Sequence, residues 1–306
     1  MAARKKLQKV LGDVEGKIFY DEPMSHHTSL KVGGNADALA VIESEEQLEQ
    51  IIGKLKAAKI NYLPVGNLTN IIVRDGGYRG AILLMSGLKE INYQQMPDGG
   101  HNICAQAGAA LAKVVEMSAA HELTGLEFCA GIPGSVGGAV WMNAGAFGKE
   151  IKDVVTEVSL LDAFGQKRTM KREEISFSYR KTVLPGGTII LNARLKLEKG
   201  KREQIQEKIS EIVQARREKH PLEYPSAGSV FKNMPGLPAG RLIEEIGLKG
   251  KSCKDAEVSP QHANFIVNKG RATATDVLKL IGLIQEKAKK EKGVNLETEV
   301  IVIGEN

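Results

Sequence analysis

Between Gly125 and Gly148, seven of 24 residues are glycine, against 33 in the 306-residue chain. Glycine is used where φ must be positive or where another group must approach the backbone closely. The run Gly131-Ile132-Pro133-Gly134-Ser135-Val136-Gly137-Gly138 also presents successive backbone N–H groups, which form concavities suited to a pyrophosphate. A series of tight turns packing a sheet would use the same glycines, so both readings stand at this level. A second candidate, Pro64-Val65-Gly66-Asn67-Leu68-Thr69-Asn70, reads as a strand followed by a polar turn with hydroxyl and amide donors. The familiar nucleotide loops are missing. No Gly-x-Gly occurs, which removes the Rossmann fingerprint, and Gly250-Lys251-Ser252 has Glu245 where a Walker A loop needs glycine.

Composition narrows the function classes. Hydrophobic residues make up 42% and charged residues 26%, enough apolar material for a sizeable core. The net charge of +5 is spread along the chain, and aromatics are only 5%, so few platforms exist for stacking nucleic-acid bases. Cys104, Cys129 and Cys253 give neither a disulfide framework nor a zinc pattern, and they read as small buried apolar residues. No metal site is expected. No stretch has the length of a signal peptide's apolar region or a membrane span, which predicts a reduced, cytoplasmic protein.

Strand and helix patterns alternate throughout, which argues α+β or α/β. Residues 1–20 read as a helix, and Ser44-Glu45-Glu46-Gln47 reads as a capping box starting a second, with Leu48, Ile51, Ile52 and Leu55 on one face. Strands are expected at 61–66, 81–85, 102–107, 154–162, 188–197, 263–267 and 298–303. Further helices are expected at 111–121, 239–246 and 273–290. A charged helix runs to about Lys219 with Ile205, Ile209, Ile212 and Val213 in one stripe, and a domain boundary falls near 198, where Glu-Lys-Gly-Lys-Arg interrupts the pattern.

Eight segments in order resemble the UDP-N-acetylenolpyruvoylglucosamine reductase family. They are His27–Ala36, Pro64–Asp75, Gly131–Gly148, Ser178–Arg180, Pro225–Asn233, Leu242–Glu244 with Gly247–Gly250, His262–Asn268 and Leu296–Val300. The resemblance implies an α+β fold: a FAD-binding region of the vanillyl-alcohol oxidase type over 1–197, in two subdomains divided near 86, then a smaller α+β substrate-binding domain over 198–306. It implies non-covalent FAD held by Val65, Gly66, Asn67, Leu68, Thr69, Asn70, Gly131, Pro133, Gly134, Ser135, Gly137, Gly138, Ala139, Asn143 and Gly145. Relatives in the wider fold tether flavin through histidine, whereas His26 and His27 read here as a turn entering the first strand. The implied reaction passes hydride from NADPH through flavin to the β-carbon of an enolpyruvyl vinyl ether in peptidoglycan synthesis, and a proton then reaches the α-carbon. The expected partners are therefore NADPH and UDP-N-acetylglucosamine enolpyruvate, with a monomeric enzyme and no nucleic acid or membrane.

Three residues carry the implied chemistry. Ser229 is the proton donor; by spacing alone it would be a turn serine, and no Gly-x-Ser-x-Gly elbow surrounds it. Arg180, in a loop, offers a planar, permanently charged fork for the enolpyruvyl carboxylate. Glu299, entering a strand, assists the developing charge, with Glu297 as its rival two residues away. Tyr179, Lys232, Asn233 and Lys249 are expected to bind the UDP-sugar. Departures from the family pattern are Met234 between Asn233 and Pro235, the stretch Ser252–Glu257, and a turn at 66–70 with fewer glycines. No long tyrosine-bearing insertion lies between Arg180 and Ser229, which points to the shorter of the family's two types. A flavin oxidase of the same wider fold and a flavin- or UDP-sugar-binding protein without chemistry are the alternatives.

Overall fold

The computed structural model describes residues 2–306 of the chain. Helix α1 covers Ala2–Leu11 and ends earlier than the apolar spacing suggests. Gly12 and Gly16 interrupt it, and Ile18-Phe19-Tyr20 favour a strand, so Ile18–Pro23 forms β1. His26 and His27 follow β1, so they sit in a turn between the first and second strands, with His27 Nε2 2.8 Å from Glu22 Oε1. Strand β2 is Asn35–Val41. Helix α2, Glu45–Ala57, begins where the capping pattern predicts, with Ser44 Oγ accepting the Gln47 N–H at 3.1 Å. The Gln47 amide returns one residue earlier than a standard box, to the Glu43 N–H at 2.7 Å. Its buried face is Leu48, Ile51, Ile52 and Leu55, each contributing roughly 1.5–3 kcal/mol by leaving water.

Strands β3 (Tyr62–Val65), β4 (Ile71–Val73), β5 (Tyr78–Leu84), β6 (Ile91–Gln95) and β7 (His101–Gln106) lead into helix α3, Leu111–Ala120. After β8 (Leu123–Thr124), the glycine-rich segment contains the short helix α4, Val136–Trp141, followed by β9 (Gly145–Ala146) and β10 (Lys149–Glu150). Then come β11 (Val155–Leu161), β12 (Lys167–Lys171), the hairpin β13 (Ser176–Ser178) and β14 (Lys181–Val183), and the long β15 (Ile189–Lys199). The remainder is α5 (Arg202–Lys219), β16 (Ser226–Ser229), α6 (Ala239–Glu245), β17 (Ser252–Cys253), β18 (Ala256–Val258), β19 (Phe265–Asn268), α7 (Ala274–Lys292) and β20 (Ile301–Ile303).

Two compact units result. The first comprises residues up to Phe19, Leu39–Asn67 and Ala81–Arg216; the second comprises Tyr20–Ala38, Leu68–Gly80 and Arg217–Asn306. The chain passes between them within β1, β2 and β5, which belong to a sheet of order β1-β2-β5-β3. In the first unit, the antiparallel sheet β12-β11-β15-β7-β6 packs a core including Ile103, Val114, Phe128, Val158 and Leu195. In the second, the sheet β16-β19-β18-β17 packs against α6 and α7 around Phe231, Leu242, Ile243, Val277 and Leu280. A parallel pair joins β20 to β4, Ile301 opposite Ile71. The sequence places a boundary near 198, before α5; the units divide after Arg216 because Ile205 and Ile212 are buried, the latter in the first core. The short segments 20–38 and 68–80 fold with the C-terminal unit through Leu30, Val32 and Ile72, a pairing that no local pattern announces.

Candidate active site

In the first unit, the glycine-rich segment is stitched to the turn between β7 and α3. Val136 N donates to Ala109 O at 2.9 Å, Gly137 N to Ala107 O at 2.8 Å, and Leu111 N to Gly134 O at 3.0 Å. Ser135 caps α4, its hydroxyl accepting the Gly138 N–H at 3.3 Å. A Cβ on Gly66 would fall 2.3 Å from Ser135 Oγ, and one on Gly137 2.8 Å from the Ala107 methyl. Both glycines therefore permit a close approach that any side chain would block. Gly131 and Gly134 take positive φ values of 70° and 144°. The turn after β3 thus meets the start of α4 with only hydrogen atoms and one hydroxyl between them, while the N–H groups of Val136, Gly137 and Gly138, which the sequence offers as anion donors, are bonded within the chain to Ala109, Ala107 and Ser135. Val65, Gly66 and Asn67 belong to this unit with Gly131, Pro133, Ser135, Gly138 and Ala139. Leu68, Thr69 and Asn70 belong to the second unit, with Leu68 at φ 53°.

Arg180 lies at the tip of the β13–β14 hairpin, where Ser178 pairs with Lys181, rather than in an irregular loop. Its φ is 55°, a left-handed conformation that a non-glycine residue adopts at some cost. One guanidinium nitrogen donates to Gly145 O at 2.9 Å, and the group sits 4.9 Å from the Tyr179 ring centre. Asn143 is fully buried and its side chain is engaged inside the chain, with Glu150, Lys152 and Ser178 as partners.

Arg216, absent from the sequence reading, packs its Cδ 2.8 Å from where a Gly131 Cβ would be, with Cys129 nearby. Its Nε is buried and has no hydrogen-bond partner among the described residues. Burial lowers its pKa, and the charge on Arg180 acts in the same direction. On α5 it belongs to a charged helix, so periodicity marks it only as solvated surface. Cys129 beside it is buried, and desolvation pushes its thiol well above the ordinary range. A thiol reagent at neutral pH should therefore modify at most Cys104 and Cys253 in the folded protein, and all three cysteines after denaturation. Mass analysis showing rapid modification of Cys129 in the native state would contradict this packing.

In the second unit, Ser229 ends β16 instead of occupying a free turn; Gly228, at φ 76°, precedes it where the register with β19 shifts. Val230 O accepts the Glu299 N–H at 2.8 Å, so Ser229 and Glu299 lie on adjoining strands of backbone. Glu299 precedes β20 and does not lie within it, because residues 298–300 bend to meet Val230 and Phe231. Its carbonyl accepts the Asn70 amide at 3.0 Å. Asn264 fixes this corner by accepting the Phe231 N–H at 2.9 Å and donating to Phe231 O at 2.8 Å.

A cavity of about 290 Å³ opens beside Ser229, lined also by Asn233, Arg241, Gln261, His262 and Asn264. His262 stacks edge-on against Phe265 with ring centres 4.9 Å apart, and its Nδ1 accepts the Asn264 N–H at 3.2 Å. Burial depresses its pKa below the usual value near 6.5, which favours a neutral ring carrying its proton on Nε2. Asn233 Oδ1 accepts the Ala239 N–H at 2.9 Å and so anchors α6. Lys232 pairs with Glu297 at 2.5 Å and Lys249 with Glu244 at 3.1 Å. Glu297, the rival of Glu299, is thus the partner of Lys232.

The FAD binding domain family matches residues 36–171, and the C-terminal domain family of UDP-N-acetylenolpyruvoylglucosamine reductase matches residues 220–303. A curated UDP-N-acetylenolpyruvoylglucosamine reductase from Syntrophus aciditrophicus is 47% identical over 96% of this chain and 94% of its own length. The chain belongs to the UDP-N-acetylenolpyruvoylglucosamine reductase family. Another member, from Caldanaerobacter subterraneus, is 46% identical over 98% of this chain and 97% of its own. The crystal structure of the Thermus caldophilus reductase superposes with a TM-score of 0.79 at 36% identity, covering 94% of this chain and 98% of that one. The family assignment makes the protein an α+β flavoprotein with an FAD-binding domain ahead of the reductase C-terminal domain. It is a member of the shorter type, in which β14, β15 and α5 connect Arg180 to β16 without an inserted tyrosine loop. Among the described residues, no helix is long and apolar enough to cross a membrane, and no cluster of histidine, cysteine or carboxylate could hold a metal.

Proposed function

We propose that the chain reduces the enolpyruvyl double bond of UDP-N-acetylglucosamine enolpyruvate with NADPH, giving UDP-N-acetylmuramate, and that Ser229, Arg180 and Glu299 carry the chemistry. The observation that supports it most is the similarity to curated reductases over nearly the full length of the chain. Bound FAD supplies hydride transfer from NADPH to the β-carbon of the vinyl ether. Gly66, Asn67, Gly131, Gly134 and Ser135 would hold its pyrophosphate with backbone and hydroxyl donors, Gly137 and Gly138, whose N–H groups are bonded to Ala107 and Ser135, would shape the loop, and Thr69 and Asn70 would add side-chain donors.

As hydride arrives at the β-carbon, negative charge spreads over the α-carbon and its carboxylate. Arg180 grips that carboxylate with its planar fork, an interaction that strengthens as charge develops. Ser229 donates its hydroxyl proton to the α-carbon, and a neighbouring cation or backbone N–H must then stabilise its oxygen. Glu299 acts beside it on the developing carboxylate charge. Tyr179, Lys232, Asn233 and Lys249 face the nucleotide-sugar; the lysines would exchange their glutamate partners for phosphate oxygens. We place the enzyme in the cytoplasm as a monomer, where NADPH and a nucleotide-sugar are both available.

The test is product analysis with purified holoenzyme. NADPH and the enolpyruvyl substrate should disappear in equal amounts as UDP-N-acetylmuramate accumulates. Consumption of oxygen with no change in the enolpyruvyl group would favour the oxidase reading instead.

A further inference from the structure

The glycine-rich segment does more than border a cofactor: its C-terminal end grips the hairpin that carries Arg180. Asn143 follows α4, is fully buried and stands at φ 42°, a left-handed conformation that asparagine tolerates. Its carboxamide is committed inside the first unit. Nδ2 donates to Glu150 Oε2 at 2.9 Å and to Ser178 O at 3.0 Å, while Oδ1 accepts the Lys152 N–H at 3.1 Å. Both amide hydrogens are thus spent on the chain, and one goes to the carbonyl directly before the Tyr179-Arg180 turn. The same segment meets the hairpin twice more. Gly145 O accepts from the Arg180 guanidinium at 2.9 Å, and Thr182 donates its hydroxyl to Val140 O.

We propose that Asn143 is a positioning residue for Arg180, locking the turn whose second residue is held at φ 55°. The hairpin alone cannot do this: β13 and β14 are three residues each, and a two-stranded ribbon of that length has little stability in water. Without an external tie at Ser178 O, the strained tip would relax and the guanidinium would lose its aim. The inference rests on the reading of Arg180 as the carboxylate-binding residue.

Two variants separate the roles. Asn143→Gly keeps the left-handed backbone available and removes the carboxamide. Asn143→Asp keeps the shape and the acceptor for Lys152 N–H, but cannot donate to Ser178 O and faces Glu150 with a like charge. Both holoenzymes should bind FAD within about threefold of the unaltered protein. Turnover of the enolpyruvyl substrate should fall about 10²-fold, the scale of a misplacement near 1 Å, with a raised KM as well as a lowered kcat. In an Arg180→Ala background, adding either Asn143 variant should cost almost nothing more, because the two residues act as one unit.

Equal losses with and without Arg180 would overturn the proposal. So would a fall in FAD affinity that accounts for the lost activity, which would make Asn143 a flavin ligand. If Asn143→Gly fails to fold, the isosteric Asn143→Asp decides the matter by the same cycle. A wild-type enzyme inert toward the enolpyruvyl substrate would instead overturn the reading of Arg180 itself.

Discussion

Ser229→Ala should bind FAD and still allow NADPH to reduce it, while reoxidation by the enolpyruvyl substrate slows about 10³-fold, within the range for loss of a general acid. The asymmetry follows from the two halves of the reaction. Only the second half needs a proton at carbon, and Ser229 is the only hydroxyl side chain among the residues lining the cavity. The removed atom is one partly exposed hydroxyl at the end of β16, and the neighbouring backbone bonds from Asn264 and Glu299 do not involve it. The fold should therefore survive. Stopped-flow absorbance under anaerobic conditions reads both halves separately. An equal loss in the two would make Ser229 structural.

Arg180→Ala should lower turnover by about 10²–10³-fold, the cost of removing one preorganised partner of a developing anion. The effect should appear in KM as well as kcat, since the carboxylate is present in the bound substrate before any hydride moves. Arg180→Lys should recover only part of the loss, because an ammonium replaces a bidentate fork with a point charge. Steady-state kinetics with the enolpyruvyl substrate decides this. A variant that keeps its KM and loses only stability would assign Arg180 to holding Gly145 O rather than substrate.

The backbone features around the candidate site are legible where they sit in short, dense motifs. The glycines at 131, 134, 137 and 138 announced a special backbone, and Gly66 and Gly137 do permit contacts that exclude a side chain. Ser44 and the Leu48–Leu55 face placed α2, since capping and helical periodicity are local properties. What the sequence concealed depends on contacts between distant segments. Tyr20–Ala38 and Leu68–Gly80 joining the C-terminal unit is such a case, as is Glu299 bending to Val230 before its strand begins. Asn143 belonged to a motif associated with cofactor, yet its partners Glu150, Lys152 and Ser178 emerge only once β9, β10 and the Arg180 hairpin are folded. Arg216 shows the same limit: its polar helix position hides that its side chain turns onto Gly131.

One measurement bears directly on the reductase assignment. The purified holoenzyme, held without oxygen, is mixed first with one equivalent of NADPH and then with UDP-N-acetylglucosamine enolpyruvate. Loss of the oxidised flavin absorbance on the first addition and its full return on the second, with UDP-N-acetylmuramate formed in equal amount, is the predicted result. A bleached protein that the enolpyruvyl substrate leaves unchanged, but that regains its colour when air is admitted, would contradict it.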